Sequence, residues 1–248
     1  MEIAVDNNVQ QPKVHCIFSP ANSTWCYIIA DRASGHAIII DPLLSRDHTG
    51  AIASTVPDLI LEIVHSNNYT VDHVLETNAH EEYPSAAWYL RNQLLEKRGR
   101  APRVAVQKSL RIVQRIHARK YGIKNKFWTG EFDGRFVDGE VLGAGSLRIQ
   151  VIHLPGRSQD HVGYVIGDNL FAGDCCFHTR NHFHLHPVVQ DCLMISIKRL
   201  QSMSPKLRIW TTRGCSSRPE GCVGEFIGVH GKNANVPVAG GIEQGLVA

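Results

Sequence analysis

The chain has 248 residues, which is enough to bury a full hydrophobic core within one α/β domain of ordinary size. Its formal net charge of +3 is small, so charge alone does not indicate a nucleic-acid-binding protein. The first residues do not show the basic segment followed by an apolar segment that is typical of a secretory signal peptide. The apolar runs are too short to span a bilayer. The seven cysteines contain no C-x-x-C pair, which favours reduced thiols and predicts a cytoplasmic protein without membrane contact.

Apolar runs bounded by turn residues predict the elements of the first half of the chain. The predicted strands are 14–19, 25–31, 36–41, 71–77 and 103–106. The predicted helices are 55–66, 84–98 and 109–121. Thr55 is the expected cap of the first helix, Pro84 lies in the first turn of the second, and Gly99 ends it.

The second half continues with strands at short intervals, a polar loop and one helix. The predicted strands are 147–153, 162–166, 169–173 and 207–211, and the predicted helix is 188–202. Strands that precede alternating helices and strands suggest two β-sheets between helical layers, that is, an αβ/βα four-layer sandwich of the α/β class. We expect one domain over residues 1–231 and a loosely held tail over 232–248.

The polar loop after strand 71–77 has the sequence Asn78-Ala79-His80-Glu81-Glu82-Tyr83. The end of a strand before a helix is where an α/β protein usually places its chemistry. The loop is similar to an altered H-x-H-x-D-H, the metal-binding signature of the metallo-β-lactamase superfamily. Further landmarks of that superfamily recur in order at 41–42, 153–158, 167–174 and 210–214. Over about residues 14–213 the chain therefore resembles this superfamily, and most of all its persulfide dioxygenase and glyoxalase II branch.

The resemblance implies a metal site, but most ligand positions carry another residue type. It places the first metal at Asn78, His80, Arg157 and Asp174, and the second, where present, at Glu82, Tyr83, Asp174 and Arg213. Only His80 and Asp174 keep the family's residue type. An arginine cannot ligate a metal, because its guanidinium stays protonated and has no lone pair to give. We therefore expect no metal at the family site and no other cofactor.

The substitutions at these positions compensate one another in charge. Asp174 and Glu82 would be costly to bury without a cation, and Arg157 and Arg213 supply two positive charges. The arginines either hold the fold alone or form a pocket for a small anionic or carbonyl-containing substrate, with the arginines as electrophilic clamps. The candidate catalytic residues are His80, Glu82, Tyr83, Arg157, Asp174 and Arg213.

A histidine-rich segment follows Asp174. In an extended chain His182, His184 and His186 point to one side, and with Asp174 they could hold zinc or iron at a relocated site. The alternative is a solvated loop or the wall of the substrate pocket. The candidate substrate-binding residues are Asn78, His178, Arg180, His182 and His184.

Three functions remain open from the sequence. The first is a metal-independent small-molecule enzyme, a lyase, isomerase, cyclase or ester and lactone hydrolase, for example of specialised-metabolite biosynthesis. The second is a pseudoenzyme that binds a ligand or partner in the old cleft, and the third is a hydrolase with the relocated metal. Twelve Lys and Arg residues with one acidic residue between 91 and 126 favour a solvated or anion-steering face over nucleic-acid binding, because no aromatic residues alternate with them. The oligomeric state is not indicated.

Overall fold

Thirteen strands and three helices form the part of the chain that the computed structural model describes, namely residues 11–79, 82–105, 116, 119–120, 136–156, 158–174, 187–205, 207–213 and 220–222. The strands are β1 (Lys13–Ser19), β2 (Thr24–Ala30), β3 (His36–Ile40), β4 (Ser45–Arg46), β5 (Ile52–Ala53), β6 (Thr70–Leu75), β7 (Arg103–Ala105), β8 (Val141–Ala144), β9 (Leu147–His153), β10 (Val162–Ile166), β11 (Asn169–Gly173), β12 (Arg208–Thr211) and β13 (Glu220–Cys222). The helices are α1 (Thr55–Ser66), α2 (Ala87–Arg98) and α3 (Pro187–Gln201).

The strands form two mixed sheets and a small two-stranded sheet of β4 and β5. The first mixed sheet has the order β1-β2-β3-β6-β7, antiparallel from β1 to β3 and parallel from β3 to β7. The second has the order β13-β12-β11-β10-β9-β8, in which β11 and β12 are the parallel pair. Strand β2 is buried at all seven positions, as expected for a strand that is covered on both faces.

Three apolar cores define four layers. Ile28 and Ile39 of the first sheet pack in one core with Ile60 of α1 and Leu90 of α2. The inner faces of the two sheets meet in a second core that contains Tyr27, Ile38, Tyr164, Phe171 and Trp210. The third core contains Ile152, Leu170 and Ile209 of the second sheet with Leu200 of α3. The order helix, sheet, sheet, helix confirms the predicted αβ/βα sandwich.

Two helix starts differ from the sequence predictions. The N-cap of α1 is Ser54 rather than Thr55, and the Ser54 hydroxyl donates to Asp58 at 2.7 Å but accepts no capping hydrogen bond from a backbone amide. Helix α2 begins at Ala87, not at Pro84. The backbone before it is bound to the segment after β3, because the Leu44 amide donates to the Pro84 carbonyl at 2.9 Å. Those tertiary bonds replace the first helical turn.

The other predicted strands and the helix at 188–202 are confirmed to within a few residues, and β13 is a strand that the sequence patterns do not indicate. The predicted helix at 109–121 and the tail at 232–248 lie largely or wholly outside the described residues. Within the described ranges, no helix has the length and apolar character needed to cross a membrane. Cys26 is buried, Cys16 and Cys192 are half-buried, and the reduced state of the thiols stays a prediction.

Asp31 ties the two sheets together at the end of β2. Its buried carboxylate accepts hydrogen bonds from Ser34 Oγ at 2.5 Å, in the turn before β3, and from the Ser146 amide at 2.8 Å, in the turn before β9. Burial alone would raise the pKa of Asp31, but these bonds outweigh it and lower the pKa to about 2. The ionised form is therefore stabilised by folding.

We expect Asp31→Asn to lower the free energy of unfolding at neutral pH by about 2 kcal/mol, from a pKa depression of roughly two units. Because the pKa is lower in the folded state, this contribution is complete above the ordinary pKa of 3.8 and is lost as pH falls towards 2. Denaturant unfolding at several pH values should show the wild type and Asp31→Asn converging in acid. Asp191→Asn, an exposed change on α3, is the control, and a pH-independent gap between wild type and Asp31→Asn would contradict the assignment.

Candidate functional site

Polar side chains from both sheets meet where three strands end. Asn78 follows β6 of the first sheet, Asp174 follows β11 of the second, and Arg213 follows β12, the neighbour of β11. Parallel β11 and β12 bring Asp174 and Arg213 to the same sheet edge. The facing sheet contributes Asn78 to that edge. The structure thus brings together three of the residues that the sequence nominates.

Asp174 is the centre of the cluster and is 10% exposed. Asn78 Nδ2 donates to Asp174 Oδ1 at 2.8 Å. Arg213 Nε lies 3.4 Å from Asp174 Oδ2, which is ion-pair distance, although the N–H is not aligned for a hydrogen bond. The buried His161 places Nδ1 3.9 Å from Asp174 Oδ1, while its Nε2 bonds to the Ala172 carbonyl at 2.9 Å.

Arg213 joins Asp174 to a second carboxylate. Arg213 Nη2 donates to Glu82 Oε2 at 2.6 Å. The side chain of Arg213 is 28% exposed and that of Glu82 is 55% exposed, so this pair lies at the open side of the cluster. One guanidinium therefore faces two carboxylates, as the charge argument from the sequence predicts for this arginine.

A buried layer below the cluster fixes its geometry, and it was not predicted from the sequence. Asp41, directly after β3, accepts hydrogen bonds from the Thr77 amide and the Thr77 hydroxyl at 2.7 Å each, and from the Thr212 hydroxyl at 2.5 Å. Thr77 precedes Asn78, and Thr212 precedes Arg213. Asp41 therefore positions residues on both sides of Asp174. The sequence feature that could have indicated this layer is the threonine directly before each of the site residues Asn78 and Arg213.

Several nominated residues are not placed in this cluster by the described structure. Tyr83 is half-buried in the same loop as Glu82. The residues that lie outside the described part of the chain are His80, Arg157, His178, Arg180, His182, His184 and His186. Their contribution to the site, and the catalytic role of every residue named here, stay predictions.

Among the described residues of the cluster, Asp174 can ligate a metal ion and Arg213 cannot. Arg213 hydrogen-bonds to Glu82 and lies at ion-pair distance from Asp174, two of the positions that the family resemblance assigns to the second metal, and its guanidinium cannot itself ligate. Asp174 keeps a carboxylate that can ligate zinc or iron. The described ranges place no group of three or more His, Cys, Asp or Glu side chains for a metal, so further donors would come from residues beyond those ranges, such as His80.

Comparison with known proteins identifies the class. The model of the metallo-beta-lactamase superfamily matches residues 20–189, and the chain belongs to that superfamily. It is 32% identical over 250 residues to the Beta-lactamase hydrolase-like protein of Xylella fastidiosa, an alignment that covers 97% of this chain and 56% of the relative. The chain thus spans little more than half the length of that relative, whose name describes a hydrolase-like protein.

Solved structures show the same fold. The crystal structure of ETHE1 from Myxococcus xanthus is similar with a TM-score of 0.61 and 20% identity, over 86% of this chain and 80% of that one. The di-iron-bound form of TTHA1623 is similar with a TM-score of 0.56 and 22% identity, over 84% of this chain and 93% of that one. At these identities the comparison concerns the fold alone.

The comparisons correct the prediction that the protein uses no cofactor. A relative from Bacillus velezensis, the Probable polyketide biosynthesis zinc-dependent hydrolase BaeB, is 26% identical over 159 residues, covering 62% of this chain and 56% of the relative. The name of that relative describes a zinc-dependent enzyme, and TTHA1623 was solved in a di-iron-bound form, so the expectation of no cofactor conflicts with proteins that are similar to this chain. The prediction was wrong because changed ligand positions reveal which donors are lost, but not which donors other segments supply.

Proposed function

We propose that this chain is a hydrolase that cleaves an ester- or lactone-type bond of a small molecule, with one zinc or iron ion and with Arg213 as the second positive charge of the site. The observation that carries the proposal is the placement of the Arg213 guanidinium between the carboxylates of Glu82 and Asp174. In that position it supplies a fixed cation where the family resemblance puts a second metal. The names of the curated relatives support hydrolysis over elimination, isomerisation or simple binding.

The metal would be held by Asp174 together with His80 and histidines of the segment 178–186. When bound, such an ion polarises a carbonyl group or lowers the pKa of a water molecule. Hydrolysis forms a bond from the water oxygen to the carbonyl carbon and breaks the bond to the leaving oxygen, which takes up a proton. Arg213 stabilises the negative charge that develops on the carbonyl oxygen, and Tyr83 is the proposed proton donor to the leaving oxygen.

Asp174 is held in a defined position in this proposal, because it accepts a hydrogen bond from Asn78 and forms an ion pair with Arg213 while only 10% of its side chain is exposed. Its side chain lies where strand ends of the two sheets meet. A location in the cytoplasm, and the absence of nucleic-acid and membrane partners, are further parts of the proposal and rest on composition alone.

Metal content of protein purified without a histidine tag tests the proposal. We expect about one zinc or iron ion per chain by elemental analysis, and near-complete loss of that ion in Asp174→Asn, because the amide is a poor ligand for these metals. Hydrolysis of 4-nitrophenyl acetate should fall in excess chelator and return when the metal is added back.

Asp168→Asn is the matched control for the Asp174 change. Asp168 is an exposed carboxylate in the turn at the other end of β11, where it accepts a hydrogen bond from Gln11 at 2.7 Å. Its replacement should leave the metal content unchanged. Two ions per chain, or one ion that persists in Asp174→Asn, would refute the one-metal proposal.

A further inference from the structure

The two carboxylates that pair with Arg213 differ in how firmly they are held. Asp174 is 10% exposed, and its second oxygen accepts the hydrogen bond from Asn78. Glu82 is 55% exposed and reaches Arg213 through one oxygen, Oε2, at 2.6 Å. Ion pairs as exposed as that of Glu82 with Arg213 contribute little to stability, since water and salt compete with them. The Glu82 partner is therefore the exchangeable one.

Arg213, in contrast, is fixed by its main chain. It forms an antiparallel bridge with Thr24 at the start of β2, and the Thr211 hydroxyl donates to the Arg213 carbonyl at 2.9 Å. The neighbouring residue Thr212 accepts a bond from the Trp25 amide at 2.6 Å and donates its hydroxyl to Asp41. The guanidinium is thus presented from a rigid strand end, whether or not Glu82 stays in contact with it.

We infer that Glu82 occupies the anion-binding side of Arg213 and that a carboxylate of the substrate takes its place. This inference rests on the proposed function, because it requires the cluster to be the substrate site, and it names the substrate class: an ester or lactone that carries a carboxylate. A substrate carboxylate has the same charge and planar geometry as the side chain of Glu82. It can form the same charge-assisted hydrogen bond with the guanidinium, and a bidentate pair where both oxygens reach it.

Glu82 then competes with the substrate's carboxylate for the guanidinium of Arg213 and so lowers the affinity for that carboxylate. While Glu82 is in place, a second carboxylate meets both an occupied donor and a like charge. Replacing Glu82 with glutamine removes the charge and weakens the bond to Arg213, but leaves the size of the side chain nearly unchanged. Replacing Arg213 with glutamine removes the cation that both anions use. The two substitutions therefore move anion binding in opposite directions.

The test is calorimetric titration of the metal-loaded protein with succinate and with its neutral analogue succinamide. We expect Glu82→Gln to bind succinate about fivefold more tightly than wild type. This factor corresponds to the free energy of one exposed ion pair, which no longer competes with succinate. Arg213→Gln should lose succinate binding. The affinity for succinamide should be the same in wild type and Glu82→Gln, since it carries no charge.

Glu62→Gln supplies the matched control. Glu62 is exposed on α1, away from the strand ends that form the cluster, so this change alters the net charge equally without touching Arg213. Succinate affinity in Glu62→Gln should equal that of wild type. An equal gain in Glu62→Gln, an unchanged affinity in Glu82→Gln, or no succinate binding in any variant would overturn the inference.

Hydrolysis of the neutral ester 4-nitrophenyl acetate, measured on the same preparations, separates this inference from the proposed function. Hydrolysis without Glu82-dependent succinate binding overturns the inference and leaves the hydrolase proposal intact. Glu82-dependent succinate binding without metal-dependent ester hydrolysis overturns the hydrolase proposal while Arg213 remains an anion site.

Discussion

Arg213→Ala is expected to lower kcat/KM for ester hydrolysis about 100-fold, the usual loss when one positioned donor to a developing oxyanion is removed. The substitution removes the cation that faces both Glu82 and Asp174 and leaves those two carboxylates to repel each other. Steady-state kinetics with 4-nitrophenyl acetate gives the measurement. Denaturant unfolding of the same variant separates a loss of catalysis from a loss of folded protein.

Two further arginine variants sharpen this prediction. Arg213→Lys keeps the charge but not the planar fork, so we expect an intermediate loss of roughly tenfold. Arg208→Ala changes an arginine at the opposite end of the same strand, where the Arg208 amide bonds to the Asp168 carbonyl at 2.9 Å, and kcat/KM should be unaffected. A folded Arg213→Ala with wild-type kcat/KM would show that the arginine only fills space.

The strands were predictable because their apolar residues both favour an extended backbone locally and fill the cores between the layers. The Ile38–Ile40 run of β3 is wholly buried, with Ile39 in the helix-side core and Ile38 and Ile40 in the core between the sheets. Gly167 has φ +56 in the turn between β10 and β11, a conformation that glycine adopts at little cost. A strand that is covered on both faces has a continuous apolar sequence. Apolar runs of this kind that are bounded by turns were therefore predicted as strands, and the structure confirms them.

Other elements depend on partners distant in sequence. Pro84 favours a helix start locally, but Ser85 forms a bridge with Leu43 and the Ala86 amide bonds to the Pro42 carbonyl at 2.8 Å, so α2 begins later. Strand β13 lies in a glycine-rich segment and is defined by its pairing with β12. Local propensity cannot reveal either feature, because the competing bonds come from other elements.

For the candidate site, the residue types at the changed ligand positions predicted which side chains pair. Charge compensation predicts that Arg157 and Arg213 pair with Asp174 and Glu82, and the structure places Arg213 beside both carboxylates, while Arg157 lies outside the described residues. Charge cannot reveal that Asp41 binds Thr77 and Thr212, since this requires two sheets to place their strand ends together. It also cannot supply the metal donors, because a metal site can draw on any segment that reaches it.

Gly173→Ala is expected to destabilise the protein by about 3 kcal/mol or more, from left-handed backbone strain of about 1–2 kcal/mol and steric overlap of similar size. Gly173 has φ +62, and a Cβ there would lie 2.3 Å from Thr77 Oγ1, 2.7 Å from Thr77 Cβ and 3.0 Å from His161 Cε1. Thr77 cannot move aside freely, because its amide and hydroxyl are both bound to Asp41. The denaturant midpoint of unfolding measures the effect.

Gly99→Ala separates the two contributions to that loss. Gly99 has a similar φ of +69, but nothing lies within 4 Å of the position a Cβ would take, so only the backbone strain of about 1–2 kcal/mol applies. Equal losses in the two variants would mean that the contact with Thr77 has no cost. Because Gly173 directly precedes Asp174, a larger loss in Gly173→Ala should come with reduced metal content and activity at temperatures where the variant is still folded. The close approach of the two sheets at Gly173 would then be the feature that holds Asp174 in place.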